Sequence, residues 1–265
     1  MTWLEVEQNW VLTPPRARGV IHFLGGAFLG TSPHLVYQRL LEALAKAGFV
    51  VVATPFLHTF DHRQIALEVY QSFCKVESKL FLDYFPKFGL GHSMGCKIHL
   101  LMDSWFDLHR TGNIFMAYNN YSAYRSIPFL ENLMGTLPEV QEVEFEPSPQ
   151  TTLQLIRKSY DTPHNLLIEF TEDEIDEIPQ LADLLERKFG DTVQVKILAG
   201  NHLTPVALDV NWQVGEVFTP VDAIAQWFKQ NWYQTVNQDN LHLEKVIRTW
   251  LDTRLATTAK TLPEI

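Results

Sequence analysis

The sequence predicts an α/β fold in which a mostly parallel sheet is covered by helices on both faces. Short apolar runs, typical of buried strands, alternate along the chain with longer amphipathic runs of helical spacing. The run FVVVATPF (49–56) is apolar on both faces, as a strand inside a parallel sheet should be. The chain has 265 residues, of which 46% are hydrophobic, so it can form a single domain with a packed core.

The first half of the chain alternates strands with helices. Ser32 and Pro33 fit the N-cap and the first position of a helix, and Gly48 fits its C-terminal end. The leucines between these positions recur at helical spacing, so they would form one buried face. In this half, strands are predicted at 19–25 and 49–56, and helices at 34–48, about 61–84 and 96–110.

The second half continues the alternation of strands and helices but interrupts it once. Residues 121–162 contain prolines, tyrosines and glutamates without one clean period, which favours an inserted lid rather than a second domain. The tail at about 221–255 indicates one or two C-terminal helices. The remaining elements are strands at 112–120, 164–170 and 192–200 and a helix at 178–190.

Composition and charge exclude several classes of protein. Lys and Arg number 21 against 31 Asp and Glu, and this net charge of −10 argues against binding to nucleic acid or an anionic bilayer. The two cysteines, Cys74 and Cys96, form no C-x-x-C pair. The N-terminus is acidic where a signal peptide is basic, and no segment approaches the roughly 18 apolar residues of a membrane span. We expect a cytoplasmic protein.

The segment Gly91-His92-Ser93-Met94-Gly95 carries the most chemical information. It matches G-x-S-x-G between an apolar run and a helix, which is the context of a serine nucleophile at a sharp strand-to-helix turn. Glycines on both sides relieve crowding at such a turn, and the helix N-terminus favours developing negative charge. Ser93 is therefore the candidate nucleophile.

A serine hydroxyl is a weak nucleophile and needs a base. Three histidines follow the predicted lid. His202 lies in AGNHLTP, directly after the last predicted strand, whereas His164 opens a strand and His242 lies in a helical run. His202 is therefore the candidate base, because its side chain can accept and return a proton near neutral pH.

The acid that orients this base should follow the preceding strand, HNLLIEF. An acidic segment begins there, and Asp173 is preferred because it comes three residues after the last apolar residue of the strand. Asp176 is the alternative. It ranks second because it lies near the start of the next helix, where a carboxylate is already favoured as a cap. Glu172 and Glu174 are less favoured than either aspartate.

Two backbone N–H groups are needed to hold a developing oxyanion. Met94 follows the candidate nucleophile and would supply one of them. The loop Gly25-Gly26-Ala27-Phe28 follows the first strong strand and would supply the other, with the amide of Ala27 preferred. The alternative is that these glycines only form a tight turn.

The order of FLGGAFLG, GHSMG, FTEDEID and AGNHLTP resembles the α/β-hydrolase superfamily over about residues 18–205. Within it, the chain is most similar to a family of unknown function from cyanobacteria and plant plastids. The resemblance implies an α/β-hydrolase fold and a Ser–Asp–His hydrolase of ester-type substrates, with Ser93, Asp173 and His202 in those roles. For a plant source it implies the plastid stroma. The chain departs from many members of the superfamily in having Gly25-Gly26 where they carry His-Gly.

Together these observations predict a serine hydrolase that cleaves a carboxylic ester or thioester through an acyl-enzyme. The expected partner is a small-molecule substrate, and a non-catalytic scaffold that binds a ligand or protein is the alternative. A lyase or acyltransferase could use the same residues. Side chains in or near the predicted lid favour a substrate with an apolar part, namely Tyr118, Tyr121, Tyr124, Phe129 and Leu133.

No metal and no cofactor are expected. His58, Asp61 and His62 have a spacing close to that of metal ligands, but they miss the arrangement of dinuclear zinc hydrolases. Gly25, Gly26 and Gly30 do not form the G-x-G-x-x-G pattern of a dinucleotide site.

Overall fold

The computed structural model describes residues 1–27, 29–123, 144–206 and 236–261. These residues contain an eight-stranded sheet. Its strands are β1 (Leu4–Val6), β2 (Asn9–Leu12), β3 (Gly19–Leu24), β4 (Phe49–Ala53), β5 (Lys87–His92), β6 (Gly112–Met116), β7 (Asn165–Phe170) and β8 (Val193–Leu198). The strand order is β1-β2-β4-β3-β5-β6-β7-β8. The pairings β1 to β2 and β2 to β4 are antiparallel, and all others are parallel.

Helices cover both faces of this sheet. They are α1 (Pro33–Val36), α2 (Gln38–Lys46), α3 (His62–Lys79), α4 (Met94–Trp105), α5 (Pro149–Ser159), α6 (Ile178–Phe189) and α7 (Val236–Thr261). The helices α1, α2 and α7 pack on one face, and α3 to α6 pack on the other. The predicted fold class, an α/β protein with a mostly parallel sheet and helices on both faces, is confirmed.

The central strands are buried on both sides. Every residue of β4 and β6 is buried, which explains their continuous apolar sequences. Because the strands from β3 to β8 are parallel, their carboxyl ends meet at one edge of the sheet. Ligands bind at this edge in open α/β sheets. The loops that follow β3, β5, β6, β7 and β8 all begin there.

The predicted helix at 34–48 is divided in two. Tyr37 interrupts it between α1 and α2, with a non-helical backbone (φ −113°, ψ 18°) and a fully buried side chain. Ser32 is the N-cap residue but makes no side-chain cap, whereas Asp61 caps α3 by accepting a hydrogen bond from the Gln64 amide. Gly48 ends α2 with a positive φ of 94°, a conformation that favours glycine.

The range predicted as a lid, 121–162, includes the helix α5. Thr152 and Ile156 of α5 are buried, and Ile156 packs in the apolar cluster shared with α4 and α6. Residues 124–143 of this range lie outside the described residues. The action of this range as a lid stays a prediction.

The C-terminal region is described from residue 236 onwards. Leu243, Ile247 and Leu251 of α7 lie in the core, so this helix packs on one face of the sheet. The preceding part of the predicted helical tail, 221–235, lies outside the described residues. Within the ranges described, no helix is long and apolar enough to cross a membrane.

Candidate active site

Ser93 lies at the turn between β5 and α4. Its backbone is in a positive-φ conformation (φ 53°, ψ −121°), which an L side chain rarely adopts. Its amide donates to the Met116 carbonyl at the end of β6, at 2.9 Å, and this bond holds the turn against the neighbouring strand. The side chain therefore projects at the edge of the sheet where the carboxyl ends meet.

The two glycines of the G-x-S-x-G pattern are required by close approach of the backbone. A Cβ at Gly91 would lie 2.7 Å from the Cys96 amide nitrogen, and a Cβ at Gly95 would overlap the Leu24 carbonyl. Both obstacles are main-chain atoms, which cannot move aside as a flexible side chain could. The spacing of these glycines around Ser93 thus has a steric cause.

Ser93, His202 and Asp173 form a continuous hydrogen-bonded array. The Oγ of Ser93 is 3.0 Å from Nε2 of His202, and Nδ1 of His202 is 2.7 Å from Oδ2 of Asp173. The carboxylate only accepts, so Nδ1–H donates to it and Nε2 is left to accept from the serine hydroxyl. The Asp173 side chain is fully buried, whereas that of His202 is 18% exposed.

The acid and the base are positioned by two loops that are bonded to each other. The loop after β7 donates from the Thr171 amide to the Leu198 carbonyl and from the Glu172 amide to the Gly200 carbonyl. Asp173 closes a tight turn, since its amide donates to the Phe170 carbonyl at 3.1 Å. These bonds set the distance between Asp173 and His202 through the backbone of neighbouring strands.

Asp176 lies outside the array. Its Oδ1 accepts from the Ile178 amide at 2.6 Å, at the start of α6, where the sequence favours a cap. Its Oδ2 is buried and has no hydrogen-bond partner among the described residues. Burial raises the pKa of Asp176 to about 7, and the charge of Asp173 adds to this increase. Of the two aspartates considered from the sequence, the structure brings Asp173 to His202.

The two amides considered for an oxyanion site belong to two segments that approach each other at Ser93. Met94 is the first residue of α4, so its N–H has no acceptor within the helix. The loop after β3 lies against the turn, because a Cβ at Gly26 would be 3.4 Å from the Cβ of Ser93. The Gly26 amide already donates to the hydroxyl of Tyr37, which leaves Ala27 as the next amide of this loop.

Asn119 is a site residue that the sequence analysis missed. Its Nδ2 is 3.3 Å from Oγ of Ser93, so a side-chain amide also donates to the candidate nucleophile. Asn119 follows β6, the strand beside β5, and its neighbour Asn120 binds Glu177 through its backbone amide. The strand predicted at 112–120 ends at Met116, so the polar pair Asn119-Asn120 lies in the loop that follows it; two asparagines at the end of an apolar run were the signal available in the sequence.

The aromatic residues that the sequence placed near the substrate are only partly described. Tyr118 is fully buried, and its hydroxyl has no partner among the described residues. Tyr121 is half-buried, and Tyr124, Phe129 and Leu133 lie outside the described residues. Within the described ranges, no three metal-binding side chains come together.

A family model described as "Protein of unknown function (DUF1350)" matches residues 2–253. The chain belongs to this family. A search of curated proteins found no match to the sequence. The cyanobacterial or plastid origin expected from the sequence stays a prediction.

Solved structures provide the fold comparison. A soluble variant of monoglyceride lipase from Saccharomyces cerevisiae, in complex with a substrate analog, has a TM-score of 0.61 at 12% identity, covering 96% of this chain and 94% of that one. Carboxyl esterase 2 from Tuber melanosporum has a TM-score of 0.61 at 16% identity, with 96% and 87% covered. The monoacylglycerol lipase of Paleococcus ferrophilus has a TM-score of 0.57 at 13% identity, with 96% and 100% covered. These likenesses show that the DUF1350 chain has the α/β-hydrolase fold.

Proposed function

We propose that this protein is a serine hydrolase that cleaves a carboxylic ester or thioester through an acyl-enzyme. The observation that carries the proposal is the Ser93–His202–Asp173 array, in which each hydrogen bond has one possible polarity. A serine, a histidine and a carboxylate in this order are recognised by geometry and not by position in the sequence. The fold shared with lipases and esterases supports the same reaction class.

In the first half of the reaction, Ser93 Oγ attacks the carbonyl carbon of the substrate. Its proton passes to Nε2 of His202, and the imidazolium is stabilised by the Asp173 carboxylate. The amides of Ala27 and Met94 would donate to the oxyanion of the tetrahedral intermediate. The bond to the leaving oxygen or sulfur then breaks, and His202 protonates the alcohol or thiol that departs.

In the second half, water takes the place of the alcohol. His202 removes a proton from the water while its oxygen attacks the acyl carbon on Ser93. The bond from this carbon to Ser93 Oγ breaks, the serine recovers its proton from His202, and a carboxylic acid is released. No cofactor is needed for this sequence of steps, because the side chains supply both the nucleophile and the proton transfers.

An apolar part of the substrate is supported by the surroundings of the site. The loop after β4 starts at the same edge of the sheet and exposes Leu57 (73%) and Phe60 (42%). Exposed apolar side chains beside a catalytic edge are typical of surfaces that bind apolar ligands. We therefore expect acyl chains of medium length to be cleaved faster than acetyl groups.

The experiment that tests the proposal is labelling with a fluorophosphonate probe. We expect the wild-type chain to be labelled, the Ser93→Ala variant to lose the label, and a Ser104→Ala variant to keep it. Ser104 is a suitable control because it lies on α4, the helix that follows Ser93, and its hydroxyl donates to the Leu100 carbonyl. An unlabelled wild-type protein would indicate the alternative, a non-catalytic scaffold.

A panel of p-nitrophenyl esters and acyl thioesters of increasing chain length then identifies the substrate class. Release of free acid supports hydrolysis. Transfer of the acyl group to an added alcohol, with little free acid, would assign the array to an acyltransferase instead.

A further inference from the structure

A second hydrogen-bonded linkage lies beneath the candidate nucleophile. The Gly26 amide donates to Oη of Tyr37 at 2.9 Å, and this Oη is 2.8 Å from Nδ1 of His92. Nε2 of His92 is 2.8 Å from the backbone carbonyl of His202. Tyr37 and His92 are almost completely buried, at 0% and 1% exposure. We call these two side chains the Tyr37–His92 linkage.

Every bond of this linkage has one possible direction. The His202 carbonyl can only accept, so Nε2 of His92 carries a hydrogen and donates it. Burial lowers the pKa of His92 to about 3, so the ring is neutral and Nδ1 has a free lone pair. Tyr37 therefore donates its hydroxyl proton to Nδ1 and accepts from the Gly26 amide.

The linkage joins the loop after β3, which contains Gly26, to the loop after β8, which contains His202. At one end, Gly26 precedes Ala27, whose amide is the candidate oxyanion donor. At the other end, the bonded carbonyl belongs to His202, the candidate base. Tyr37 reaches this position because the helix is interrupted at its own residue, between α1 and α2. The interruption at Tyr37 lies 55 residues before His92 in the sequence, and it brings the Tyr37 hydroxyl to the His92 ring at the site.

We propose that Tyr37 and His92 are positioning residues, which hold the Ala27 amide and the His202 imidazole at a fixed separation across Ser93. The proposal rests on the proposed function, because it assigns these residues to the same acyl transfer. Both side chains are buried, so the role assigned to them is not one of substrate contact. Their effect is on geometry, and small displacements of catalytic groups lower the rate constant by large factors.

The test compares Tyr37→Phe, His92→Leu and His92→Gln in the full-length protein. We expect Tyr37→Phe and His92→Leu to lower kcat by about tenfold or more, with KM changed by less than about twofold. His92→Gln should recover part of the loss, because its side-chain amide can still donate to the His202 carbonyl. The double variant Tyr37→Phe/His92→Leu should be no slower than the slower single variant, since both changes break one linkage.

A matched control separates positioning from stability. Tyr160 is also fully buried, and its hydroxyl accepts from Asn113 and donates to Asn165 away from the site. Tyr160→Phe should lower the melting temperature as Tyr37→Phe does, but leave kcat of the folded protein unchanged. If Tyr37→Phe lowers only the melting temperature, the linkage is structural and the proposal is wrong.

A second readout does not depend on turnover. The proton on Nδ1 of His202 can be followed by NMR, and assigned by its loss in His202→Gln. We expect Tyr37→Phe and His92→Leu to accelerate its exchange with solvent about fivefold or more, whereas Tyr160→Phe leaves it unchanged. If the wild-type protein has no hydrolase activity but shows this pattern, the proposed function fails and the positioning of His202 stands. An unchanged exchange rate would overturn the positioning.

Discussion

Two buried polar groups in this molecule each contain a hydrogen-bonded aspartate but differ in their chemistry. One is the Ser93–His202–Asp173 array at the carboxyl edge of the sheet. The other lies between β6 and α4 and consists of Arg110, Asp103, Asn113 and Tyr160, which we call the closed network. In the closed network, Nε of Arg110 is 2.9 Å from Oδ1 of Asp103, and the two side chains are only 1% and 3% exposed.

The difference lies in what remains available for a reaction. Both oxygens of Asp103 are already bound, by Arg110 on one side and by Asn113 and Thr162 on the other. In the array, by contrast, Ser93 lies at the carboxyl edge of the sheet and is 9% exposed, and the His202 side chain is 18% exposed. A buried, hydrogen-bonded aspartate therefore does not identify a site by itself; a serine nucleophile at the end of the hydrogen-bonded series does.

The largest expected effect comes from removing the nucleophile of the array. We expect Ser93→Ala to lower kcat/KM for a responsive ester by about 10⁴-fold or more, because no other group can form the acyl-enzyme. The melting temperature should not fall, since the hydroxyl makes no bond that the core depends on. Steady-state kinetics with circular dichroism as the folding control would check both, and unchanged turnover would assign the chemistry elsewhere.

The second prediction compares the two aspartates after β7. Asp173→Asn should lower kcat by about 10²- to 10⁴-fold, because its amide can donate to Nδ1 and would stabilise the wrong tautomer of His202. Asp176→Asn should leave kcat within about twofold, since Asp176 accepts from the Ile178 amide, whereas His202 is bonded to Asp173. Both variants replace an aspartate by an isosteric amide, so the pair controls for the substitution itself. The reverse ranking would make Asp176 the acid.

The third prediction concerns the closed network. Asp103→Asn leaves the Arg110 guanidinium buried without its counter-ion, and we expect the free energy of unfolding to fall by about 3 kcal/mol. The kcat of the protein that remains folded should not change. Urea denaturation measures the free energy of unfolding. Active-site titration gives the concentration of folded, active protein from which kcat is calculated. A loss of kcat per titrated site would show that the two polar groups are coupled.

The fourth prediction adds Asn119 to the array. Asn119→Ala removes the donor to Ser93 Oγ and should lower kcat by about three- to tenfold, because this neutral bond is long, at 3.3 Å. Asn120→Ala is the comparison from the adjacent position, where the side chain instead donates to the Pro149 carbonyl. An equal loss of kcat in both variants would indicate a general displacement of the loop after β6.

Much of the fold and the site could be predicted because the signals were local. The buried strands are continuous apolar runs, and the G-x-S-x-G spacing around Ser93 reflects contacts within one turn. His202 and Asp173 are predicted from their positions after strands, since parallel strands place their following loops at one edge.

The remaining features depend on contacts between distant segments. The interruption at Tyr37 accompanies a bond to His92, and nothing in the periodicity of 34–48 signals it. The hairpin of β1 and β2 was also missed, because Glu7 and Gln8 turn with positive φ values of 49° and 62°. Hairpin turns with two positive φ values usually have Asn or Gly at those positions, and Glu7 and Gln8 are neither. Asn119 was missed because its role depends on its distance from Ser93.

The smallest expected effect concerns the pH dependence of stability, and it again contrasts Asp176 with the array. Burial raises the pKa of Asp176 from its ordinary value of 3.8 to about 7. Between these two pH values the folded protein holds a proton that the unfolded chain has released, so the free energy of unfolding decreases as the pH rises. The carboxyl is half-buried, and solvent screens part of this effect.

Asp176→Asn cannot ionise, and its side-chain carbonyl still accepts from the Ile178 amide. At about pH 8 we therefore expect the variant to melt about 2 °C above the wild type, a difference of less than about 1 kcal/mol. At about pH 4 Asp176 is protonated in the folded wild type and is then uncharged, as the Asn of the variant is, so the two melting temperatures should converge. Scanning calorimetry across this range measures the difference. A stabilisation that is constant with pH would mean that the charge of Asp176 is not its source, and that Asp176 is as well solvated as a surface carboxylate.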